Sequence, residues 1–355
     1  MTILKNIFII AAQGTIDNEI LYGEVDQLRI KAKQLGLTEI SLQIDPLRVG
    51  WDTPILNHHF RSGNGPLEAI GKGIELLETG LCDFVVISGE DKLRSSYTKE
   101  ERNQMMQIYQ NTSLTELYTK LASLWCKMNH LSHDDFILLA DLLFQNYYRS
   151  YSNYYSKTQH PDSKWFNFIT KLFRGVDCAN PLADFSGMLI LANNNTINKL
   201  GLSCRSCIKI KGFSTQTIDE PNINKIVSYE HLHLAYTKAC NIAKLDFLNL
   251  FLKKKAYLEI YTCFPIVPLA FLFRLNFTCD LQSTIDLLAN YPITLAGGMN
   301  LAKAPWNNPV LVTIIRIYHQ LKQPNSLNFA GIHSNGGLGE KQGFLILEAL
   351  EENYK

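Results

Sequence analysis

The sequence has no surplus of either charge: 34 Lys and Arg stand against 33 Asp and Glu in 355 residues, a formal net charge of +1. That balance excludes the concentrated basic face with which nucleic-acid-binding proteins neutralise phosphates. The basic run Lys253-Lys254-Lys255 is too short to replace one and reads as a solvated loop. Long hydrophobic runs are missing as well. The most apolar stretch, YTCFPIVPLAFLFRLNF over 261–277, is interrupted by Pro265, Pro268 and Arg274, so it reads as core and not as a membrane span. The opening MTILKNIFII has a short apolar run and no small-residue cleavage site, so no secretory leader is expected. The 8 cysteines are scattered singly apart from Cys204 and Cys207, and no second pair stands at zinc-ligand spacing. They read as reduced thiols of a cytoplasmic protein, with no disulfide framework and no metal site. His58 and His59 are adjacent and would point to opposite faces of a strand, so they do not share a metal.

What is present is an ordinary globular composition, 46% apolar, with a rough internal repeat. In the first half, VDQLRIKAKQLGL has a helical pattern and TEISLQI alternates as a strand. A Gly63-Asn64-Gly65-Pro66 turn then opens a helix predicted over 66–79, with Leu67, Ile70, Ile74 and Leu77 on its apolar face. Gly80 ends that helix, and the buried strand DFVVISG follows. The second half repeats the order. YEHLHLAYTKACNIAKL is helical, AYLEIYTCF a strand, GGMNLAKAPWNNP a Gly- and Asn-rich turn, and 309–322 a helix. LNFAGI then forms a strand, HSNGGLG a loop, and GFLILEAL the last strand. Residues 92–177 have a different texture, rich in Tyr, Gln, Asn, Lys and Ser, and read as a helical insertion. Ser132 and Asp135 form a capping-box-like start within it. After it, ADFSGMLILANN and SCIKIKGFS are strands. The chain is therefore expected to hold a first half over 1–220, with the insertion at 92–177, and a second half over 221–355.

Open α/β folds bind ligands beyond the carboxyl ends of strands and at helix N-termini. Here those positions are the loops 61–66, 261–265, 302–309 and 332–339. At 63–66 one Gly would supply a positive φ, Asn64 a cap and Pro66 a first helical residue. The second Gly suggests that something approaches the backbone closely, and Asn307-Asn308-Pro309 reads the same way. Cys263 is open between a small buried hydrophobe and a chemical group. His333, in a Gly-rich loop, is open between a surface residue and a polar role.

In these loops the chain resembles the thiolase superfamily, and the resemblance covers nearly all of it. The thiolase nucleophile segment, Cys-small-Ser-Gly leading into a helix and a Gly-x-Glu strand, is matched by SGNGPLEAIGKGIELLETGLCDFVVISGED. Pairing Ala69-Ile70 with the family's Ala-Ile puts the nucleophile position on Gly63, and pairing Ser62-Gly63 with its Ser-Gly puts it on Phe60. The family's Asn-Glu-Ala-Phe or His-Asp-Cys-Phe loop reads Tyr261-Thr262-Cys263-Phe264. Its Gly-Gly and Gly-His-Pro elements read Gly297-Gly298 and Ala304-Pro305, and its last Cys-x-Gly loop reads HSNGGLG with His333 in the cysteine's place. The pattern is most similar to divergent thiolase-like proteins with Gly-Asn-Ser-Pro, Ser-Cys-Phe-Pro, Gly-Gly-Pro-x-Asn-Asn and Asn-Gly-Gly loops.

The resemblance implies an α/β, five-layer α-β-α-β-α fold of two similar halves, a dimer, and a coenzyme A thioester as substrate or ligand, with no covalently bound cofactor. It also implies lost chemistry, because the acyl-accepting thiol and the Gly-His-Pro histidine are both absent. Cys263, Tyr261 and His333 are the candidate acid/base groups. Gly63, Asn64, Gly65, Asn307, Asn308, Gly336 and Gly337 are the candidate carbonyl-binding residues. Three readings follow: a carbon–carbon bond enzyme acting on acyl-CoA without an acyl-cysteine; a non-catalytic acyl-CoA-binding subunit paired with another protein; and an acetyl-CoA acetyltransferase with a displaced nucleophile, for which Cys82 is the nearest downstream cysteine.

Overall fold

Alternate residues of the first strand, β1 (Ile7–Ile16), face two different cores: Ile7 and Ile9 one way, Phe8 and Ile10 the other. A strand buried on both faces must be covered twice, and that requirement generates the layers. The structure, a computed structural model, describes residues 6–107, 112–219 and 221–350.

After β1 come β2 (Glu19–Leu21), α1 (Val25–Gln34), β3 (Glu39–Ile44), β4 (His59–Phe60), α2 (Gly65–Glu78) and β5 (Phe84–Lys92). The connection that follows is helical: α3 (Lys99–Met105), α4 (Leu114–Met128) and α5 (His133–Tyr154). Each of these three helices opens with a capping box, Thr98 with Glu101, Ser113 with Glu116 and Ser132 with Asp135. Then β6 (Asp184–Asn193) and α6 (Asn194–Lys199) complete the first set of elements. The second set is β7 (Ile208–Thr217), α7 (Ile223–Ile226), α8 (Glu230–Ala243), α9 (Phe247–Leu252), β8 (Ala256–Glu259) and α10 (Ile266–Arg274). It continues with α11 (Leu281–Asn290), α12 (Gly298–Leu301), α13 (Pro309–Leu321), β9 (Phe329–Gly336) and β10 (Lys341–Ala349).

The strands form one ten-stranded sheet, nine of them in the order β4-β3-β5-β6-β1-β7-β10-β9-β8, with β2 paired to β1 off that path. The pairing pattern repeats. β1 runs antiparallel to β6, β6 antiparallel to β5, and β5 parallel to β3. Likewise β7 runs antiparallel to β10, β10 antiparallel to β9, and β9 parallel to β8. The strand over 206–214, grouped by the sequence reading with the first half, pairs along its length with β10 of the second set. Within the sheet, among the described residues, the two sets join where Phe8 and Ile9 meet Lys209 and Ile208.

The sheet folds over a central layer. Helix α2 packs on β3, β5 and β6 on one side and on β7 and β10 on the other, and α13 packs on β1, β6 and β9. Both helices are therefore buried nearly all round; Val310, Leu311, Val312, Ile314, Ile315 and Ile317 of α13 are all within the core. Each such side chain contributes about 1.5–3 kcal/mol through burial. Helix α1 covers the outer face of β1 and β6, and α8 covers β7 and β10. The result is the five-layer α-β-α-β-α arrangement. The insertion helices α4 and α5 pack over α10, α11 and α12 of the second set.

Two predicted elements end elsewhere. The strand expected over 256–264 stops at Glu259, because Pro265 and Pro268 lie close ahead and the chain turns into α10. Strand β9 instead runs on through His333 to Gly336, paired residue for residue with β10, so the expected loop over 333–339 begins only at Gly337. No helix of the described residues is long and apolar enough to cross a membrane.

Candidate functional site

The mouth of α2 is built differently from its sequence reading. The residue with positive φ is Ser62, at 90°, and neither Gly63 nor Gly65 has one. Such a backbone costs a non-glycine residue about 1–2 kcal/mol. It is held by three bonds: Ser62 N donates to Asn307 Oδ1 at 3.0 Å, Asn64 N to Ser62 Oγ at 3.2 Å, and Gly65 N to Ser62 O at 2.9 Å. Asn64 does not cap α2. Its Oδ1 accepts from Ser334 Oγ on β9 and its Nδ2 donates to Glu68 Oε1 at 3.2 Å, so a bond between the halves replaces the cap. Gly63 is the position of closest approach. A β-carbon there would lie 2.6 Å from Tyr261 Cζ and nearer still to the Tyr261 hydroxyl and the Asn335 carbonyl oxygen.

Tyr261 and Cys263 sit in the turn between β8 and α10. Thr262 Oγ1 accepts from Met299 N at 2.9 Å, and Cys263 O accepts from Ala179 N at 2.8 Å, so the turn is tied to both flanks. Cys263 Sγ donates to Tyr118 Oη at 3.5 Å. That hydroxyl in turn donates to Gly337 O at 3.0 Å and accepts from Asn335 Nδ2 at 3.2 Å. The Tyr118 ring stacks on Phe264, with centroids 4.2 Å apart. Tyr118 comes from α4 of the insertion; nothing in its spacing or neighbours marks it in the sequence.

These residues enclose a cavity of about 320 Å³. Its walls come from every one of the loops singled out above: Ser62 and Gly63; Tyr261, Cys263 and Phe264; Ala304, Trp306 and Asn307; Asn335 and Gly337. The insertion and its flanks add Leu114, Tyr118, Ile169 and Cys178. The sequence reading omitted these residues.

Of the candidate residues, Gly63, Tyr261, Cys263, Asn307 and Gly337 line the cavity. Asn64, Gly65, Asn308, His333 and Gly336 do not. Asn307 is occupied structurally, with Nδ2 donating to Asp45 O at 2.9 Å besides its bond from Ser62. Asn308 is fully buried against Gly89, and neither side-chain atom has a partner. The nucleophile position on Gly63 falls in the cavity, whereas Phe60 lies on β4 outside it. Cys82 is buried between α2 and β5, at the far end of the helix from the cavity.

His333 is not in a surface loop. It is buried on β9, its ring 4.9 Å from that of Phe271. Nε2 donates to Gln342 Oε1 at 2.6 Å, and Nδ1 accepts from Tyr261 N at 3.4 Å, the bonding of a neutral imidazole. Burial pulls its pKa down to about 4. Gln342 Nε2 continues the chain to Asn335 Oδ1 at 2.5 Å. His333 thus supports the cavity wall from behind without touching the cavity.

The electrostatics are set by the burial of the titratable side chains. Burial pushes the Cys263 thiol up to about 12 and holds the Tyr261 and Tyr118 phenols well above their usual value. All three stay protonated at neutral pH; Cys263 and Tyr118 donate the bonds given above, and Tyr261 keeps a hydroxyl proton. The described lining residues include no carboxylate, imidazole or ammonium group. Among the described residues no group of His, Cys, Asp and Glu could hold a metal ion.

No protein-family model and no curated protein matches the sequence. Solved structures do. The chain is similar to a monomeric SCP2-thiolase-like protein type 1 from Mycobacterium smegmatis, with TM-score 0.71 and 14% identity over 100% of this chain and 80% of that one. It is similar to the Ltp2-ChsH2(DUF35) aldolase, with TM-score 0.69 and 13% identity over 98% and 99%. It is also similar to the Acat5 thiolase from Ascaris suum in complex with coenzyme A, with TM-score 0.62 and 13% identity over 98% and 100%. The fold is that of the thiolases and thiolase-like proteins.

Proposed function

We propose that the chain binds an acyl thioester of coenzyme A in the cavity at Tyr261 and makes or breaks a carbon–carbon bond on it without an acyl-cysteine. The observation that carries this reading is the Tyr261 hydroxyl packed against Gly63, in the space a side chain at that position would need. Where a thiolase would present its thiol, this chain presents a neutral phenol. Such a phenol donates to a thioester oxygen and stabilises the enolate that forms as the bond between the α- and β-carbons opens. In the cleavage direction the β-hydroxyl oxygen becomes a carbonyl and its proton is returned to the α-carbon, so the reaction needs no oxidant and no acyl transfer. Cys263, bonded to Tyr118, is the second donor facing the same space. A neighbour solved with coenzyme A and another that is an aldolase support the ligand and the reaction class.

A second reading, a non-catalytic acyl-CoA-binding subunit of a larger assembly, is favoured by the lining itself, whose acids are all held neutral and which offers no ready base. A homodimer remains proposed under the first reading and a further protein subunit under the second. The 8 cysteines are unpaired, which supports a cytoplasmic location. An acetyltransferase with a displaced nucleophile is disfavoured by the position of Cys82.

Thermal unfolding with coenzyme A, acetyl-CoA and long-chain acyl-CoA tests the proposal. A thioester at about 100 times its Kd adds about 2.7 kcal/mol of stability. Tyr261→Phe is expected to weaken the response to thioesters more than the response to free coenzyme A. No shift with any thioester removes both readings. Cys263→Ala separates them, since it lowers turnover under the first and leaves the activity of an assembled complex unchanged under the second.

A further inference from the structure

Behind the strip Cys178-Ala179-Asn180-Pro181 lies a second, larger cavity of about 460 Å³. Cys178, Ala179 and Pro181 line both cavities, so the strip is their common wall. The strip is fixed on both sides: Ala179 N donates to Cys263 O at 2.8 Å, and Asn180 N to Met299 O at 3.0 Å.

This cavity has a different chemistry from the first. Flat side chains wall it: Phe144, Tyr151, His160 and Trp165. The His160 ring is itself stacked on Phe166, 9° from parallel with centroids 5.4 Å apart. Gly175 lets Trp165 approach, since a β-carbon there would lie 2.8 Å from the indole. Asn300, 8% exposed, stands in the wall with its Nδ2 donating to Val176 O at 3.2 Å, while its Oδ1 is buried without a donor. A buried carbonyl oxygen left unpaired costs about 1–3 kcal/mol, which a ligand donor would recover. Lys303 lines the same cavity with a loosely committed charge. Its nearest acid, Asp17 at 3.6 Å, already pairs with Arg94 at 2.6 Å.

We propose that this second cavity is a binding site for a planar ring that carries an N–H or O–H donor and an anionic substituent. The ring lies between the aromatic walls, its donor meets Asn300 Oδ1, and its anion meets Lys303. Purine nucleotides and hydroxylated aromatic acids share this chemistry. The inference does not rest on the thioester reading, because none of Asn300, Lys303, His160 and Trp165 lines the first cavity.

Calorimetric titration of the full chain with AMP, with 4-hydroxybenzoate, and with adenosine and phenol as uncharged parents tests it. At least one anion binds with Kd below about 1 mM and more tightly than its parent. Lys303→Met lowers that anion's affinity about tenfold, to the level of the parent, and Asn300→Leu lowers affinity for ring and parent alike. AMP alone binding assigns the site to nucleotides, and 4-hydroxybenzoate alone binding assigns it to aromatic acids. Lys303 is half-exposed, so Lys303→Met remains decisive if Asn300→Leu fails to fold. No heat from either anion up to about 10 mM, or equal affinity in wild type and Lys303→Met, overturns the proposal.

Discussion

The mouths of the two central helices, α2 and α13, are built alike and used differently. Each follows a non-glycine residue in the left-handed region, Ser62 at φ 90° and Trp306 at φ 24°, and each carries an asparagine that does not cap its helix. At α2 the asparagine is satisfied: Asn64 bonds Ser334 on β9 and Glu68 on its own helix. At α13 the asparagine faces β5 at Gly89, which has no side chain to offer, and Asn308 is left without a partner. The α2 mouth also yields its first position to the other half, because Gly63 makes room for Tyr261. Two copies of one architecture thus diverge at the point where a backbone approaches a side chain, and the cavity opens on that divergence.

The largest expected effect breaks the α2 mouth. Gly63→Val drives a branched side chain into Tyr261 and the Asn335 carbonyl, and urea unfolding is expected to show a loss of about 3 kcal/mol. Gly63→Ala is milder, and its loss is expected to shrink in a Tyr261→Phe background, since the hydroxyl is the nearest atom to the new methyl group. A purely additive double mutant would contradict the close approach.

A smaller effect sharpens the comparison directly. Asn64→Ala leaves buried Ser334 Oγ without its acceptor and is expected to cost about 2 kcal/mol. Asn308→Ala removes two buried polar atoms that had no partner and is expected to cost less than about 0.5 kcal/mol. Equal losses would mean that the two mouths are energetically equivalent.

The smallest effects are read from pH. Burial holds His333 down at about 4 in the folded chain, so its stabilising share is present above the ordinary histidine range and is lost as pH falls from about 6.5 towards 4. The stability of wild type relative to His333→Gln is expected to fall by about 0.7 kcal/mol between pH 7 and pH 6. Glu259, at the end of β8, titrates in the opposite sense. Burial raises its carboxyl to about 7, so its share is present at low pH and is lost as pH rises from about 4.5 through 7. The stability of wild type relative to Glu259→Gln is therefore expected to rise between pH 7 and pH 6.

Much of the fold was legible because the central helices announce themselves. The pattern over 66–79 is shifted by one residue from α2, the pattern over 309–322 runs one residue past the end of α13, and each helix has a proline in its first turn. The four loops were legible as candidate positions, but their convergence was not; it comes from the packing, where helix mouths and strand ends of the two halves meet at one cavity. What escaped was set by tertiary contact. The positive φ fell on Ser62 because Asn307 and the Ser62 hydroxyl's own bond from Asn64 N hold it there, and no local signal records a partner so far along the chain. His333 looked like a loop residue among glycines, yet pairing with β10 extends the strand through it. Tyr118 was invisible because its role comes from where the insertion folds, against Cys263 and Asn335.

The central claim is that a phenol replaces the thiolase thiol. It is tested most directly by the intact mass of the protein after incubation with acetyl-CoA and acetoacetyl-CoA, with rapid acid quenching. The expected result is an unchanged mass under conditions where the same thioesters stabilise the fold, with that stabilisation weakened in Tyr261→Phe. A trapped acetyl adduct, mapped to Cys263, Cys178 or Cys82, would contradict it.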